Sequence, residues 1–158
     1  MKSIQAFTII ELLVVMGIMA ILFSLSTINL MGSKHKASLN SSINVLISDL
    51  ASQQLKAMVG DTEGRGGSPD NYGIYLQTGN YVLFHGINYL STDLANFPVN
   101  LGDNIQIDST SFPQSQIVFT AGNGKLISGA GLLIVKNTVT GEQKTITLNQ
   151  YGIITQVN

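Results

Sequence analysis

The stretch LLVVMGIMAILFSLSTINLMGS, residues 12–33, runs for twenty-two positions without a charge. About 20 residues rising 1.5 Å each cover roughly 30 Å, the thickness of a bilayer's hydrocarbon core. A helix apolar on every face at the start of a small chain predicts insertion into a membrane rather than burial in a water-soluble core. A cleaved secretory signal fits less well, because its apolar run is about 7–15 residues and ends at a small-x-small site. Here SLSTINLMGSKHK, residues 24–36, holds no A-x-A. A plain anchor fits the length but gives no reason for Glu11. That carboxylate stands between FTII and LLVV, at the edge of the apolar run. A charge at the bilayer centre costs roughly 2.5–3.5 kcal/mol, and less near the interface. It needs a partner.

The rest of the composition narrows the class. The chain has 158 residues, enough for one ordinary domain beyond this segment, and only 11% are charged against roughly 25% in a usual soluble domain. With 44% hydrophobic residues it is no disordered tail, which would be polar and charged. Eight Lys and Arg stand against nine Asp and Glu, so bulk charge does not mark a nucleic-acid binder. The absence of Cys excludes a disulfide scaffold, thiolate zinc sites and cysteine nucleophiles.

The residues ahead of the apolar run carry a resemblance. Lys2-Ser3-Ile4-Gln5-Ala6 followed by Phe7-Thr8-Ile9-Ile10-Glu11-Leu12-Leu13-Val14-Val15 resembles the class III signal of type IV prepilins and type II secretion pseudopilins. The resemblance implies a leader, residues 1–6, cut by the prepilin peptidase between Ala6 and Phe7. It implies that Phe7 becomes N-methylphenylalanine and that Glu11, then the fifth residue, acts in assembly. The residue before the cut is normally Gly in that family; here it is Ala6, which is also small. Physics agrees with the implied role of Glu11. In a filament core its carboxylate can meet the positive amine of Phe7 on a neighbouring subunit, each offsetting the other's burial and fixing an axial register. The alternative is that Glu11 only marks a helix start and favours its dipole. Lys2 and the α-amine before the run, against Lys34 and Lys36 after it, do not by charge count favour a cytoplasmic N-terminus. The family places it there.

Past the run the periodicity changes. Leu39, Ile43, Leu46, Ile47, Leu50, Ala57 and Met58 recur at spacings of three and four among polar residues, predicting one apolar stripe on a polar helix. Gly60 is the natural terminator, and residues 7–59 read as one helix or two nearly collinear segments, with Gly17 and Gly32 as the soft points. Residues 60–71, GDTEGRGGSPDN, read as a loop. Tyr72 to Gln77 and Tyr81 to Phe84 read as a hairpin, residues 87–104 as a turn-rich connection with Pro98, and 105–108, 116–120, 131–136, 144–148 and 152–157 as strands. The expected fold is α+β, with a long N-terminal helix packed on one antiparallel sheet. The divisions are leader 1–6, membrane or filament-core helix 7–33, amphipathic half 34–59 and a β-rich head 60–158. The sheet-rich layout and the closing KTITLNQYGIIT are similar to the GspH/FimT type of minor pilin or pseudopilin.

No catalytic, metal or cofactor constellation emerges. Gly122-Asn123-Gly124-Lys125 lacks the Gly and the Ser or Thr of a phosphate loop, since Phe119 and Leu126 hold those places; it reads as a turn. His35 and His85 fit no metal motif and read as solvated surface residues. Asp61, Glu63 and Asp70 match no EF-hand spacing, and no carboxylate side chain follows Glu142, unlike the calcium-holding major pseudopilins. Residues 34–158 carry seven cations against eight carboxylates, so the head is not expected to bind nucleic acid. With the resemblance, the expectation is a non-enzymatic structural minor subunit of a type IV pilus-like or type II secretion filament, without cofactor, in the inner membrane. Its partners would be other subunits, the prepilin peptidase and an assembly platform. The other reading is a tip subunit that binds a ligand in DNA uptake or adhesion.

Overall fold

The computed structural model describes residues 8–158, with side chains described for 8–24 and 38–158. The chain divides into two units, Met1–His35 and Lys36–Asn158, and helix α1, Ile9–Val59, includes residues of both. In the first unit the side chains from Leu12 to Met16 are apolar and all exposed, Leu12, Leu13, Val14 and Met16 more than half and Val15 45%. Consecutive positions point in all directions around a helix, so the described part is apolar on every face. Among the described residues no helix is long and apolar enough to cross a membrane. The run 12–33 continues past Ser24, outside the described side chains.

In the second unit α1 buries Leu39, Ile43, Leu46, Leu50, Gln53 and Ala57, each at most 3% exposed. The spacing is 4-3-4-3-4, a single seam along one side of a helix. Met58, expected on that stripe, is instead half exposed, because the rhythm lands on Ala57 and turns the next residue outward. The helix ends where Gly60 adopts φ +67°, a conformation that Gly enters at little cost. The Gly60 N–H donates to Ala57 O and the Asp61 N–H to Lys56 O, the paired bonds of a Schellman stop.

Eight strands follow: β1 (Tyr72–Leu76), β2 (Asn80–His85), β3 (Phe97–Asn100), β4 (Ile105–Thr110), β5 (Gln116–Phe119), β6 (Gly131–Asn137), β7 (Gln143–Leu148) and β8 (Ile154–Val157). The α+β class holds, but the expected single sheet is two four-stranded antiparallel sheets, ordered β3-β2-β1-β5 and β4-β6-β7-β8. A twisted eight-stranded sheet could not bring all its strands onto one helix about 10 Å wide; two smaller sheets can. Tyr72, Ile74 and Leu76 from the first sheet and Ile105, Ile107, Leu133, Val135, Ile146 and Leu148 from the second join the helix seam in one core. Their period of two along each strand is the signature of a half-buried sheet.

Strand β3 lay inside the connection expected to be turn-rich. Pro98 argues against a strand, yet it pairs with Val82 at the outer edge of the first sheet, a place where a missing N–H costs nothing. The rest of that connection covers the far face of the sheet. Tyr89 stacks on Tyr75 at 4.2 Å and meets Phe84 edge-on, which keeps Val82, Phe84 and Val118 buried outside the main core. Polar contacts also seat the helix, among them Tyr81 Oη donating to Asp49 Oδ2 at 2.6 Å and Ser42 Oγ donating to Leu101 O.

Gly73 marks the tightest approach within the first sheet. A Cβ there would stand 2.7 Å from the Phe84 ring and 2.8 Å from Ile117 O, and a strand backbone cannot yield easily. Gly73→Ala should destabilise the protein by about 1–3 kcal/mol through overpacking. Urea unfolding of the full chain in detergent measures it, and a change below about 0.5 kcal/mol would show that the two strands can separate.

Candidate functional site

At the N-terminal end the structure places Glu11 at the third helical position behind Thr8. Leu12 N–H donates to Thr8 O at 3.2 Å, closing the first turn. Thr8 Oγ1 accepts from the Glu11 N–H at 3.3 Å and donates to Glu11 Oε2 at 3.4 Å. The T-x-x-E spacing is that of a capping box. At 3.4 Å the hydroxyl contact is long, and an ionised carboxylate has about four accepting sites, so most of its capacity faces outward. Ala6 and Phe7, the expected cleavage and methylation residues, lie outside the described residues, and the side chains of Lys34, His35 and Lys36 lie outside those described.

At the other end of α1 a charged cluster gathers around the helix stop. Lys56 Nζ lies 2.6 Å from Glu63 Oε1, and Arg65 Nη1 lies 2.6 Å from Glu63 Oε2. Arg65 Nη2 also donates to Tyr72 Oη, which donates in turn to Asp61 O, while Lys56 sits over the Tyr72 ring. The bond from Lys56 is the main reason the Glu63 carboxyl is held below its ordinary value of 4.5; partial burial opposes the shift and Arg65 adds to it. Burial pushes the Tyr72 hydroxyl up. The loop 60–71 is thereby tied to the helix it follows.

His85 is not the solvated surface residue expected from the sequence. Its side chain is 20% exposed, with Nδ1 2.7 Å from Asp70 Oδ2 and Nε2 2.9 Å from Asp93 Oδ2. Both carboxylates can be satisfied together when both ring N–H groups donate. The ring thus clasps the loop 60–71 to the connection 86–96, a junction that no local sequence signal announces. Asp61, Glu63 and Asp70 do not converge: Asp61 Oδ1 accepts the Glu63 N–H, Glu63 binds two cations and Asp70 binds His85.

Gly122-Asn123-Gly124-Lys125 closes a turn. The Thr120 N–H donates to Lys125 O, the Gly124 N–H to Thr120 O and the Lys125 N–H to Asn123 Oδ1, and the Gly122 N–H reaches Ala57 O on the helix. Between the helix end, β2 and the start of β3 opens a cleft of about 310 Å³, lined by Gln53, Lys56, Glu63, Leu83, His85 and Phe97 among others. Gln53 was readable as interior from the 4-3-4-3-4 spacing, but its polarity hid it.

The Glu63 shift sets a pH dependence. A carboxyl held low when folded stabilises the fold fully above its unfolded value and loses that contribution as pH falls through the folded value. The melting temperature should therefore decline as pH drops below 4.5, and Glu63→Gln should flatten that decline. Since Glu63 is a third exposed, the contribution at neutral pH should stay under about 1 kcal/mol. Thermal melts of both chains across the acid range decide it; parallel curves would mean the cluster is indifferent to the Glu63 charge.

Comparison with known proteins bears on the first of these regions. Whole-chain comparison with curated proteins and with solved structures gives no match. Residues 1–27 match the family described as the prokaryotic N-terminal methylation motif. That match takes in Ala6, Phe7 and Glu11 and ends within α1. Over residues 1–27 the chain therefore carries the signature of type IV pilins and pseudopilins, and with it the mark of a prepilin peptidase substrate.

Proposed function

We propose that this chain is a structural minor subunit, a pilin or pseudopilin, of a type IV pilus-like or type II secretion filament assembled from the inner membrane. The observation that carries the reading is the methylation motif leading straight into helical residues that expose apolar side chains on every face. Apolar surface left in water costs roughly 25 cal/mol per Å², so this segment requires lipid before assembly and other helices after it. In this reading residues 1–6 are the leader, cut between Ala6 and Phe7, and 7–33 form the span and later the filament core. Residues 34–59 form the amphipathic half and 60–158 the head. The N-terminus starts in the cytoplasm and the head stands in the periplasm or, in a filament, outside the cell. The chain is a substrate of the prepilin peptidase and not itself an enzyme. Its other partners are fellow subunits and the assembly platform. The sheet-rich head favours a minor subunit.

Glu11 has two jobs in this account, and they separate experimentally. Its contact with Thr8 helps to start the helix, a matter of about 1 kcal/mol. Its charge meets the Phe7 amine of a neighbour in the apolar core, where either charge alone is costly. Mass spectrometry of membrane-extracted protein should find a chain that begins at methylated Phe7; one that begins at Met1 in cells with active peptidase would refute processing. Glu11→Ala should cut incorporation into filaments by at least about tenfold, while Thr8→Ala, which removes the cap but keeps the carboxylate, should assemble nearly normally. Equal loss in both variants, read by immunoblot of sheared filaments, would reduce Glu11 to a helix-start residue.

A further inference from the structure

The cleft at the C-terminal end of α1 has an unusual floor. Gln53 occupies an interior place in a seam otherwise made of Leu39, Ile43, Leu46, Leu50 and Ala57, and it is 3% exposed. Its side-chain carbonyl oxygen is buried without a hydrogen-bond partner. A buried acceptor left unpaired costs about 1–3 kcal/mol, and an apolar residue of the same shape would avoid that cost. Rotation about the terminal torsion of Gln is broad, so the amide can turn its oxygen toward the cleft it lines.

We infer that this cleft binds a neutral N-acetylated sugar, whose amide N–H donates to Gln53 Oε1 and whose ring lies on Phe97. The walls select the ligand. Lys56 and Arg65 already face Glu63, and His85 faces Asp70 and Asp93, so each of these charged side chains already has a partner within the chain and a charged ligand would have to compete for it. Lys56 has three donors, and one bond to Glu63 leaves it able to donate to the ligand's amide carbonyl. Leu83 is partly buried on the inner wall, against which an acetyl methyl packs. Phe97 is 64% exposed at the rim, a flat apolar face for the C–H side of a sugar ring. The volume of about 310 Å³ sits at the small end of ligand sites, roughly 300–1,000 Å³, and suits one sugar ring. A peptide would also offer amides, but it would dock as an added strand on the neighbouring edge β3, and Pro98 there interrupts the row of N–H donors. This inference concerns the head alone and does not rest on filament assembly.

Calorimetry on the full chain in a non-sugar detergent tests it, with N-acetylglucosamine as probe and glucose and N-acetylalanine methylamide as comparisons. The expected result is a Kd of about 1 mM for N-acetylglucosamine and at least about tenfold weaker binding of the other two. Gln53→Leu should abolish that preference for the acetamido sugar while the melting temperature holds or rises. Phe97→Ala, at an exposed position, should weaken binding about three- to tenfold without unfolding anything. No heat at 20-fold the expected Kd, equal binding of glucose, tighter binding of the capped alanine, or an undiminished preference in a folded Gln53→Leu chain would each overturn the assignment.

Discussion

Everything in the second unit depends on covering one narrow seam. Six positions of α1, from Leu39 to Ala57, line up at spacings of four and three and must be kept from water. Burying each large side chain is worth about 1.5–3 kcal/mol, but only if atoms arrive from both sides of the helix. One sheet supplies Tyr72, Ile74, Leu76 and Tyr81, and the other supplies residues from β4, β6 and β7. The sheets need not pair with each other along their length, because the helix is their common core. Where they meet, a single backbone bond suffices: the Ile107 N–H of β4 donates to Thr78 O in the turn between β1 and β2.

Two separate sheets leave edges, and the sequence treats them unequally. The β3 edge carries Pro98, which cannot donate to a further strand. The β5 edge is partly closed by the following chain, where Leu126 bridges Phe119 and the Ile127 N–H donates to Val118 O. The β8 end is held by mutual bonds between Asn158 and Thr145. Such measures matter in a chain with only 11% charged residues, where charge repulsion does little to prevent unwanted pairing.

Much of this was legible in the residues. The change from an unbroken apolar run to a three-four stripe, Gly60 as a stop, and alternation in 72–84, 131–136 and 144–148 are local signals, and local signals survive without the fold. Three things were not legible. The division into two sheets depends on which strands pair, a property of long-range closure that alternation does not encode. Strand β3 was obscured by Pro98, whose penalty vanishes only at an edge. The clasp of His85 with Asp70 and Asp93 joins residues whose proximity is created by the first hairpin. At the N-terminus the position was reversed: a fixed motif singled out Phe7 and Glu11, and the fold adds only that Thr8, ahead of the helix, accepts the Glu11 N–H.

The stripe and the run solve one problem with opposite means. In the second unit the apolar seam is buried by the chain's own strands, and its one polar member is the neutral amide of Gln53. In the first unit the apolar faces are left exposed by the chain, and the polar member is the carboxylate of Glu11. A polar group set in apolar surroundings costs free energy wherever its partner is missing, so its presence specifies what must arrive. In the proposed filament, a full charge in an apolar helix bundle demands an opposite charge at one height, which suits a subunit that finds its axial place among copies. An uncharged amide at the back of an open cleft demands only a donor of the right reach, and can wait for it at a cost of about 1–3 kcal/mol that the rest of the core readily outweighs. On the proposed readings, the difference between charge and amide is the difference between a contact that assembly cannot do without and one that the folded head can leave vacant.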